Sequence, residues 1–242
     1  MAQWNPWHGC KKISPGCQNC YVYRTDSRFD KDSSKVVKNS SFTLPVQRDR
    51  NGRYKLSGGQ TVYTCFTSDF FLDSADKWRI DAWNYIRNRP DLFFIIITKR
   101  IDRFEVNLPI DWQDGYQNVR ICCTVENQDR ADYRLPIFLK APVRHKSIVC
   151  EPLLERIDIS KYLTNQIDEV IAGGESGNNA RICDYDWIYA IREQCVNQNV
   201  NFIFKQTGAR FYKDGKIYRI ARKFQHTQAK KANLDYIIKK DA

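Results

Sequence analysis

Three cysteines near the N-terminus are the residues whose type and spacing point most directly to chemistry. Cys10, Cys17 and Cys20 are separated by six and then two residues, and Pro15 and Gly16 lie in the connecting stretch. Thiolates this close in sequence can converge on one inorganic centre. A 4Fe–4S cluster takes one thiolate per iron, so three protein ligands leave its fourth iron open to bind and reduce a small molecule. The spacing therefore predicts a metal centre on this loop.

Zinc is the alternative occupant of the same loop. A structural zinc site takes four ligands in a closed tetrahedron. His8, two residues before Cys10, would complete a His-x-Cys-x6-Cys-x2-Cys set. The segment is too polar for three unligated core cysteines. Spacing alone leaves both the cluster and zinc open.

A second group of candidate residues follows a series of short apolar runs. These residues carry charged, hydrogen-bonding or small side chains, and they are Ser68 and Asp69; Thr98, Lys99 and Arg100; Thr124, Glu126 and Asn127; Glu151; Gly173, Gly174, Glu175 and Ser176; and Lys205 and Gln206. A single polar residue after a strand carries little information. Six such groups in succession indicate one ligand pocket, provided that the runs are parallel strands whose carboxyl ends meet at one mouth.

The apolar runs have the composition of buried β-strands. They occupy residues 61–66, 92–97, 119–124, 146–150, 169–172 and 201–204. Continuous apolar character, rich in Val, Ile, Phe and Tyr, is typical of strands covered on both faces. Amphipathic helices are predicted over residues 74–88 and 185–197, with a short helix around 129–133. This alternation predicts an α/β fold, a partial or complete parallel (β/α) barrel, with a doubly wound open sheet as the alternative.

We expect a single barrel domain over residues 1–242, with two segments outside the alternation. Residues 31–60 are polar and rich in turn-forming residues, so we interpret them as an insertion before the second strand–helix repeat. Residues 210–242 form a basic extension, predicted to hold a short hairpin around residues 213–216 and then a terminal helix.

Composition limits the protein class. No apolar run approaches the roughly 18 residues of a membrane span, and the first residues lack the charged-then-apolar pattern of a signal peptide. We therefore expect a cytoplasmic protein without a disulfide framework. Most of the other six cysteines lie in apolar runs and are predicted to be small buried residues; they are Cys65, Cys122, Cys123, Cys150, Cys183 and Cys195.

The net charge of +11 is concentrated at the two ends of the chain. Residues 1–60 carry 11 Lys and Arg against 4 Asp and Glu, and residues 205–242 carry 11 against 3. Basic ends beside a slightly acidic centre indicate an anionic partner, with nucleic acid or a nucleotide as the first candidate. A solvated surface that serves solubility is the alternative.

Residues 4–21 (WNPWHGCKKISPGCQNCY) resemble the opening signature of a phage- and bacteria-encoded family of radical-SAM-like proteins of unassigned function. Later blocks resemble the same family in the same order. They are FTSDFF (66–71), ITKR (97–100), TVEN (124–127), EPLL (151–154), AGGESG (172–177), AR (180–181) and FKQTG (204–208). The first cysteine gap is six residues, where most radical-SAM enzymes have three.

The resemblance implies a radical-SAM-type barrel with a 4Fe–4S cluster on Cys10, Cys17 and Cys20. The open iron of such a cluster chelates the amino and carboxylate groups of S-adenosylmethionine. One electron, supplied through a donor protein, cleaves the sulfonium to methionine and a 5′-deoxyadenosyl radical, which abstracts hydrogen from a substrate.

The resemblance and the chemistry of the side chains together give candidate roles. Asp69 or Glu126 would accept hydrogen bonds from the methionine ammonium or the ribose, and Tyr21 would pack near the adenine. The predicted cofactor-binding residues are Tyr21, Ser68, Asp69, Lys99, Glu126, Gly173, Gly174 and Glu175. The turn that contains Ser68 and Asp69 resembles the Ser/Asp-bearing turn of the spore photoproduct lyase branch. Glu151, Lys205 and Gln206 are the catalytic candidates.

These expectations describe an iron–sulfur enzyme that starts radical chemistry on an unknown substrate, with a nucleic acid base or nucleotide as the first candidate. Two alternatives stay open. One is a zinc-stabilised nucleic-acid-binding module without catalysis. The other is a non-catalytic cluster protein that serves as a sensor or defence component.

Overall fold

Strands occupy all six predicted runs in a computed structural model of the protein, which describes residues 1–238. In chain order the strands are β1 (Ala2–Trp4), β2 (Trp7–His8), β3 (Val37–Lys38), β4 (Thr61–Thr64), β5 (Phe93–Thr98), β6 (Val119–Thr124), β7 (His145–Cys150), β8 (Ile167–Gly173), β9 (Cys183–Asp184), β10 (Asn201–Gln206), β11 (Arg210–Lys213) and β12 (Lys216–Arg219). Strands β4 to β8 and β10 correspond to the six runs.

Seven strands form the main sheet, in the order β1-β4-β5-β6-β7-β8-β10. The pairs β1–β4, β4–β5, β7–β8 and β8–β10 are parallel. The spatial order follows the chain order without reversal, whereas a doubly wound sheet reverses direction at a switch point. The chain is therefore a mixed α/β protein whose strand order is that of a partial (β/α) barrel.

Strand β1 is the one member of this sheet that the sequence pattern did not predict. It has three residues, too few for a periodicity, and pairs Ala2 with Val62 and Trp4 with Thr64. The Trp4 side chain is fully buried, and its indole N–H donates to the Phe42 carbonyl oxygen at 3.0 Å. Burial of this indole fixes a strand that has little local signal of its own.

Five α-helices accompany the strands: α1 (Tyr21–Asp26), α2 (Asp76–Arg87), α3 (Gln128–Lys140), α4 (Tyr185–Asn197) and α5 (Gln225–Lys231). Helix α4 has the predicted bounds, because Asp184 accepts a hydrogen bond from the Asp186 N–H at 2.9 Å and caps its first turn. Helix α3 is longer than predicted. It continues through Pro136, a residue that normally ends a helix, while burying Leu135 and Phe138.

The polar insertion at residues 31–60 has little regular structure. It contains β3, one 3-10 turn at Leu44–Val46 and an isolated bridge between Arg48 and Tyr54. The buried Arg89 holds this segment, because its guanidinium donates to the Leu56 carbonyl oxygen at 2.7 Å and lies 4.0 Å from the Tyr54 ring centroid.

The C-terminal hairpin and the helix after it are confirmed. Strands β11 and β12 are antiparallel, and β11 also pairs with β9, so these three strands form a separate small sheet. Asp214 and Gly215 both have positive φ, +50° and +76°, as a tight hairpin turn requires. Helix α5 follows. Residues 239–242 of the predicted extension lie outside the described part of the chain.

The chain divides into two compact units that alternate along the sequence. The first unit comprises Met1–Lys12, Val22–Cys122 and Lys140–His145. The second comprises Ile13–Tyr21, Cys123–Leu139 and the chain from Lys146 onward. The expectation of a single domain stays a prediction.

Each unit has its own apolar core. In the first, aromatic rings pack in series: the ring centroids of Trp7 and Phe70 are 5.4 Å apart, those of Phe70 and Trp83 are 4.8 Å apart, and those of Trp83 and Trp112 are 4.9 Å apart. In the second, helix α4 packs on β8 and β10, with Ile188 and Phe202 fully buried. Within residues 1–238, no helix combines the length and apolar character needed to cross a membrane.

Candidate functional site

The nine cysteines fall into two groups by burial. Cys10, Cys17 and Cys20 are half-buried, the other six are buried, and all nine thiols are free of disulfides. Burial raises the pKa of the Cys195 thiol to about 12 and raises the pKa values of Cys65, Cys150 and Cys183 as well. The prediction of six small buried cysteines is thus confirmed. In the described residues, no three His, Cys, Asp or Glu side chains are grouped as a preformed metal site.

In the first unit, backbone contacts hold Cys10 in place. Its N–H donates to the Ser33 carbonyl oxygen at 2.7 Å, and the Gly9 N–H donates to the Thr67 carbonyl oxygen at 3.1 Å. Gly9 has a φ of +92°, and a Cβ atom there would collide with the Lys35 carbonyl oxygen. Glycine is therefore required immediately before Cys10.

A buried arginine contacts the Cys10 sulfur. The Arg100 guanidinium lies 3.6 Å from Cys10 Sγ and donates to the Lys11 carbonyl oxygen at 2.6 Å. Its counter-ion is Asp69, at 3.3 Å. Burial disfavours the charge on Arg100, but Asp69 and Cys10 outweigh it and raise the pKa of Arg100 above its usual value. Arg100 therefore places a fixed positive charge beside this sulfur.

The Asp69 carboxylate is held by the C-terminal end of β5, the next strand along the chain. Its carboxylate accepts hydrogen bonds from the Thr98 hydroxyl at 2.8 Å and from the Lys99 N–H at 3.0 Å. The Asp69 side chain is 7% exposed. Its observed role is to orient Arg100; the predicted contact with S-adenosylmethionine stays a prediction.

His8 has a carboxylate partner of its own. Its Nε2 lies 2.7 Å from Asp26 Oδ2, and Asp26 also accepts a hydrogen bond from the Ser33 hydroxyl. Burial raises the pKa of Asp26, but these hydrogen bonds outweigh burial and hold it below its usual value. A zinc ion bound through His8 Nε2 would have to displace this carboxylate.

In the second unit, a buried ion pair holds the turn that carries Cys17. Residues Pro15–Cys17 form one 3-10 turn, and the Gly16 N–H donates to Glu126 Oε1 at 3.1 Å. Glu126 Oε2 is 2.7 Å from an Arg134 guanidinium nitrogen, and both side chains are almost fully buried. A Cβ atom on Gly16 would lie 3.0 Å from the Glu126 side chain, so a larger residue there would push this carboxylate aside.

A second carboxylate holds the same segment near Cys20. Glu175 accepts from the Asn19 amide at 2.9 Å and pairs with Arg181 at 2.6 Å. Arg181 in turn donates to the Pro15 carbonyl oxygen at 3.0 Å. Burial raises the pKa of Glu175, but hydrogen bonds from Arg181 and Asn19 outweigh it and lower the pKa below its usual value.

The three catalytic candidates lie together in the second unit. Lys205 Nζ is 2.7 Å from Glu151 Oε2, and the Gln206 amide donates to the other Glu151 oxygen. Arg222 does not follow any of the predicted strands and was not a candidate; its guanidinium donates to Gln206 Oε1 at 2.8 Å. Lys205 is 44% exposed, so this charged network is open to solvent.

Gly173 and Gly174 serve the packing of two strand ends. The Gly174 N–H donates to the Gln206 carbonyl oxygen at 3.0 Å. A Cβ atom on Gly174 would collide with the Thr207 carbonyl oxygen, and one on Gly173 would lie 3.1 Å from the Gln206 carbonyl oxygen. Close approach of backbone to backbone explains both glycines here, and their role in cofactor binding stays a prediction.

The remaining candidates have different surroundings. Tyr21 begins α1 and is 48% exposed. Ser68 donates its hydroxyl hydrogen to the Gly9 carbonyl oxygen and so supports the residue before Cys10. Lys99 is half-buried.

The sequence did not identify Arg134 and Arg181 as site residues. The order of residue types along the chain does not reveal which carboxylate an arginine contacts.

The family model of DUF5131, described as a protein of unknown function, matches residues 1–236. The chain belongs to this family. The DUF5131 match includes the cysteine loop, its buried ion pairs and the C-terminal hairpin. No curated protein and no solved structure matches the chain.

Proposed function

We propose that this DUF5131 protein holds a 4Fe–4S cluster on Cys10, Cys17 and Cys20 and cleaves S-adenosylmethionine reductively to start radical chemistry. The observation that carries the proposal is the separation of the thiols into two groups. Three half-buried thiols share an eleven-residue loop that buried carboxylates hold at the Gly16 N–H and at the Asn19 side-chain amide, while six others are buried in the cores.

The donor set fits an iron–sulfur cluster by its chemistry. Three thiols serve three irons, and Arg100 beside Cys10 stabilises the negative charge that a thiolate-bound cluster carries. Residues 11–13 are exposed, so the stretch between Cys10 and Cys17 has room to adjust when the thiolates bind iron. When bound, the cluster supplies one electron and an open iron.

The protein's own residues have positioning roles under this proposal. Glu126 and Glu175 hold the turn at Gly16 and Asn19, and Asp69 orients Arg100 toward Cys10. Tyr21, directly after the last cysteine, is the proposed contact for adenine and is 48% exposed. Ser68, Lys99, Gly173 and Gly174 remain candidates for contacts to S-adenosylmethionine, and Glu151, Lys205 and Gln206 for contacts to the substrate.

The substrate class is inferred from charge. Basic ends on a chain of net charge +11 favour a nucleic acid base or nucleotide. We further propose a radical-SAM-type barrel, an electron-donor protein as the source of reducing equivalents, and a cytoplasmic location.

Iron and sulfide analysis of anaerobically purified protein tests the cluster. We expect about four irons per chain in the wild type. Alanine at Cys10, Cys17 or Cys20 should remove the cluster and its brown colour. Cys195→Ala is the matched control, because this thiol is buried in α4 and its loss should leave the iron content unchanged. Intact iron and sulfide in the three loop variants would refute the assignment.

Two further measurements separate the alternatives. Zinc in place of iron, in a colourless protein, would support the zinc-stabilised module, although His8 Nε2 is already paired with Asp26. A cluster that yields no 5′-deoxyadenosine after reduction with S-adenosylmethionine present would support the non-catalytic sensor or defence protein. The proposed activity requires 5′-deoxyadenosine and methionine in equal amounts.

A further inference from the structure

The C-terminal hairpin and helix α5 after it carry a strong concentration of positive charge in the second unit. Residues 210–231 contain eight Lys and Arg and a single acidic residue, Asp214. Among residues 1–238, no carboxylate pairs with Lys216, Arg219, Lys223 or Lys231. This positive charge is therefore largely uncompensated by the protein itself.

The register of the hairpin places like charges directly opposite each other. Arg210 pairs with Arg219, and Lys213 pairs with Lys216, so two of the four cross-strand pairs are cation against cation. Like charges directly opposite on neighbouring strands destabilise a hairpin. The Arg210–Arg219 pair and the Lys213–Lys216 pair lie on opposite faces of the hairpin, so an anion bound on the Lys213 face would relieve the lysine pair.

Aromatic rings accompany these cations. Because opposite residues share a face, Tyr218 lies on the same face as Lys213 and Lys216. Lys213 Nζ lies 4.8 Å from the Tyr185 ring centroid, and Tyr185 stacks on Tyr189 with an interplanar angle of 17°. Tyr218 and Tyr189 are 46% and 43% exposed.

Protection of an open sheet edge does not account for these rings. Strand β12 is an edge strand, and Lys216 and Arg219 alone would discourage pairing with another chain. The exposed Ile217 and Tyr218 between them work against that protection. Cations interleaved with exposed aromatic rings are instead the combination that binds the backbone and bases of a single strand.

We propose that the β11–β12 hairpin, with the Tyr185–Tyr189 pair, is a binding surface for single-stranded nucleic acid. Lys213 and Lys216 contact phosphates on the face that carries Tyr218, and the tyrosines stack on bases. This inference rests on the substrate class in the proposed function and deepens it by assigning that class to particular residues.

Binding of a labelled oligothymidylate of about 15 nucleotides tests the surface. The double variant Lys213→Gln/Lys216→Gln removes both lysines from the face that carries Tyr218, so it should bind about tenfold more weakly, with a salt slope reduced by about two. Its thermal midpoint should change little, because loss of the Lys213–Lys216 repulsion offsets loss of the Lys213 contact with Tyr185, and misfolding would not leave the midpoint in place. The matched control Lys77→Gln/Lys140→Gln removes two exposed lysines elsewhere and should bind as the wild type does.

Two further arms complete the test. Tyr218→Ala should weaken binding of the oligonucleotide without changing the salt slope, and heparin should compete less well than the single strand. Wild-type affinity in the hairpin double variant would overturn the proposal, as would equal binding of duplex and single strand with no effect of Tyr218→Ala. Cys17→Ala protein should still bind the oligonucleotide, so failure of the cluster assignment and failure of this surface are separately visible.

Discussion

Three buried or nearly buried carboxylates share one arrangement at the residue scale. Each is paired with an arginine of its own unit, and each pair holds backbone or a side chain beside one of the loop cysteines. The pairs are Asp69 with Arg100, Glu126 with Arg134, and Glu175 with Arg181. Carboxylates that orient a site through intermediate groups act on its geometry rather than on a ligand.

The Glu126–Arg134 pair allows a stability prediction. Glu126→Gln keeps an oxygen for the Gly16 N–H but leaves Arg134 charged and buried without its partner, so unfolding should become easier by about 3 kcal/mol. The double variant Glu126→Gln/Arg134→Met removes that uncompensated charge and should recover most of the loss. Urea unfolding of the two single variants and the double variant measures the coupling. A loss in Glu126→Gln below about 0.5 kcal/mol would show that the pair is not isolated from water.

At the scale of elements, the six predicted strands were recognisable because each carries β-branched residues, with aromatic residues in three of them, over four to seven positions. Strand β1 was not, since three residues carry no periodicity and its position depends on burial of Trp4. Helix α3 was predicted too short, because its extension through Pro136 depends on the core contacts of Leu135 and Phe138.

The junction of β8 and β10 provides a prediction at the element scale. Gly174→Ala would push a methyl group into the Thr207 carbonyl oxygen and to 2.8 Å from Cys183 Cβ, so we expect a loss of about 3 kcal/mol in unfolding free energy. Gly52→Ala is the control. It meets only open space at a φ of +76° and should cost about 1 kcal/mol. Equal losses for the two variants would mean that the strand ends separate easily.

At the scale of the whole molecule, charge sets the response to acid. Among the carboxylates whose pKa is lowered in the folded state are Asp26 and Glu175, and the net charge of +11 grows as carboxylates are protonated. A depressed folded-state pKa gives stability that is fully present above the unfolded-state pKa and is lost as pH falls through the folded value.

We therefore expect the unfolding free energy to be constant from about pH 7 to pH 5 and to decrease below about pH 4. Urea unfolding across this range measures the decrease. Glu175→Gln removes one contributing carboxylate, so its stability should be lower at neutral pH and should change less on acidification. A Glu175→Gln profile parallel to the wild-type profile would contradict the assignment of acid sensitivity to this residue.

The sequence by itself determined the strand–helix alternation, the burial of six cysteines, the distinct character of the three-cysteine loop and the basic hairpin. Those features depend on composition and spacing over a few residues. Only the tertiary structure decided the partners: Asn19 meets Glu175 across 156 positions, and Arg181 meets Pro15 across 166. Such contacts arise where strand ends and loops are brought together by packing, and residue types along the chain do not encode which donor reaches which carboxylate.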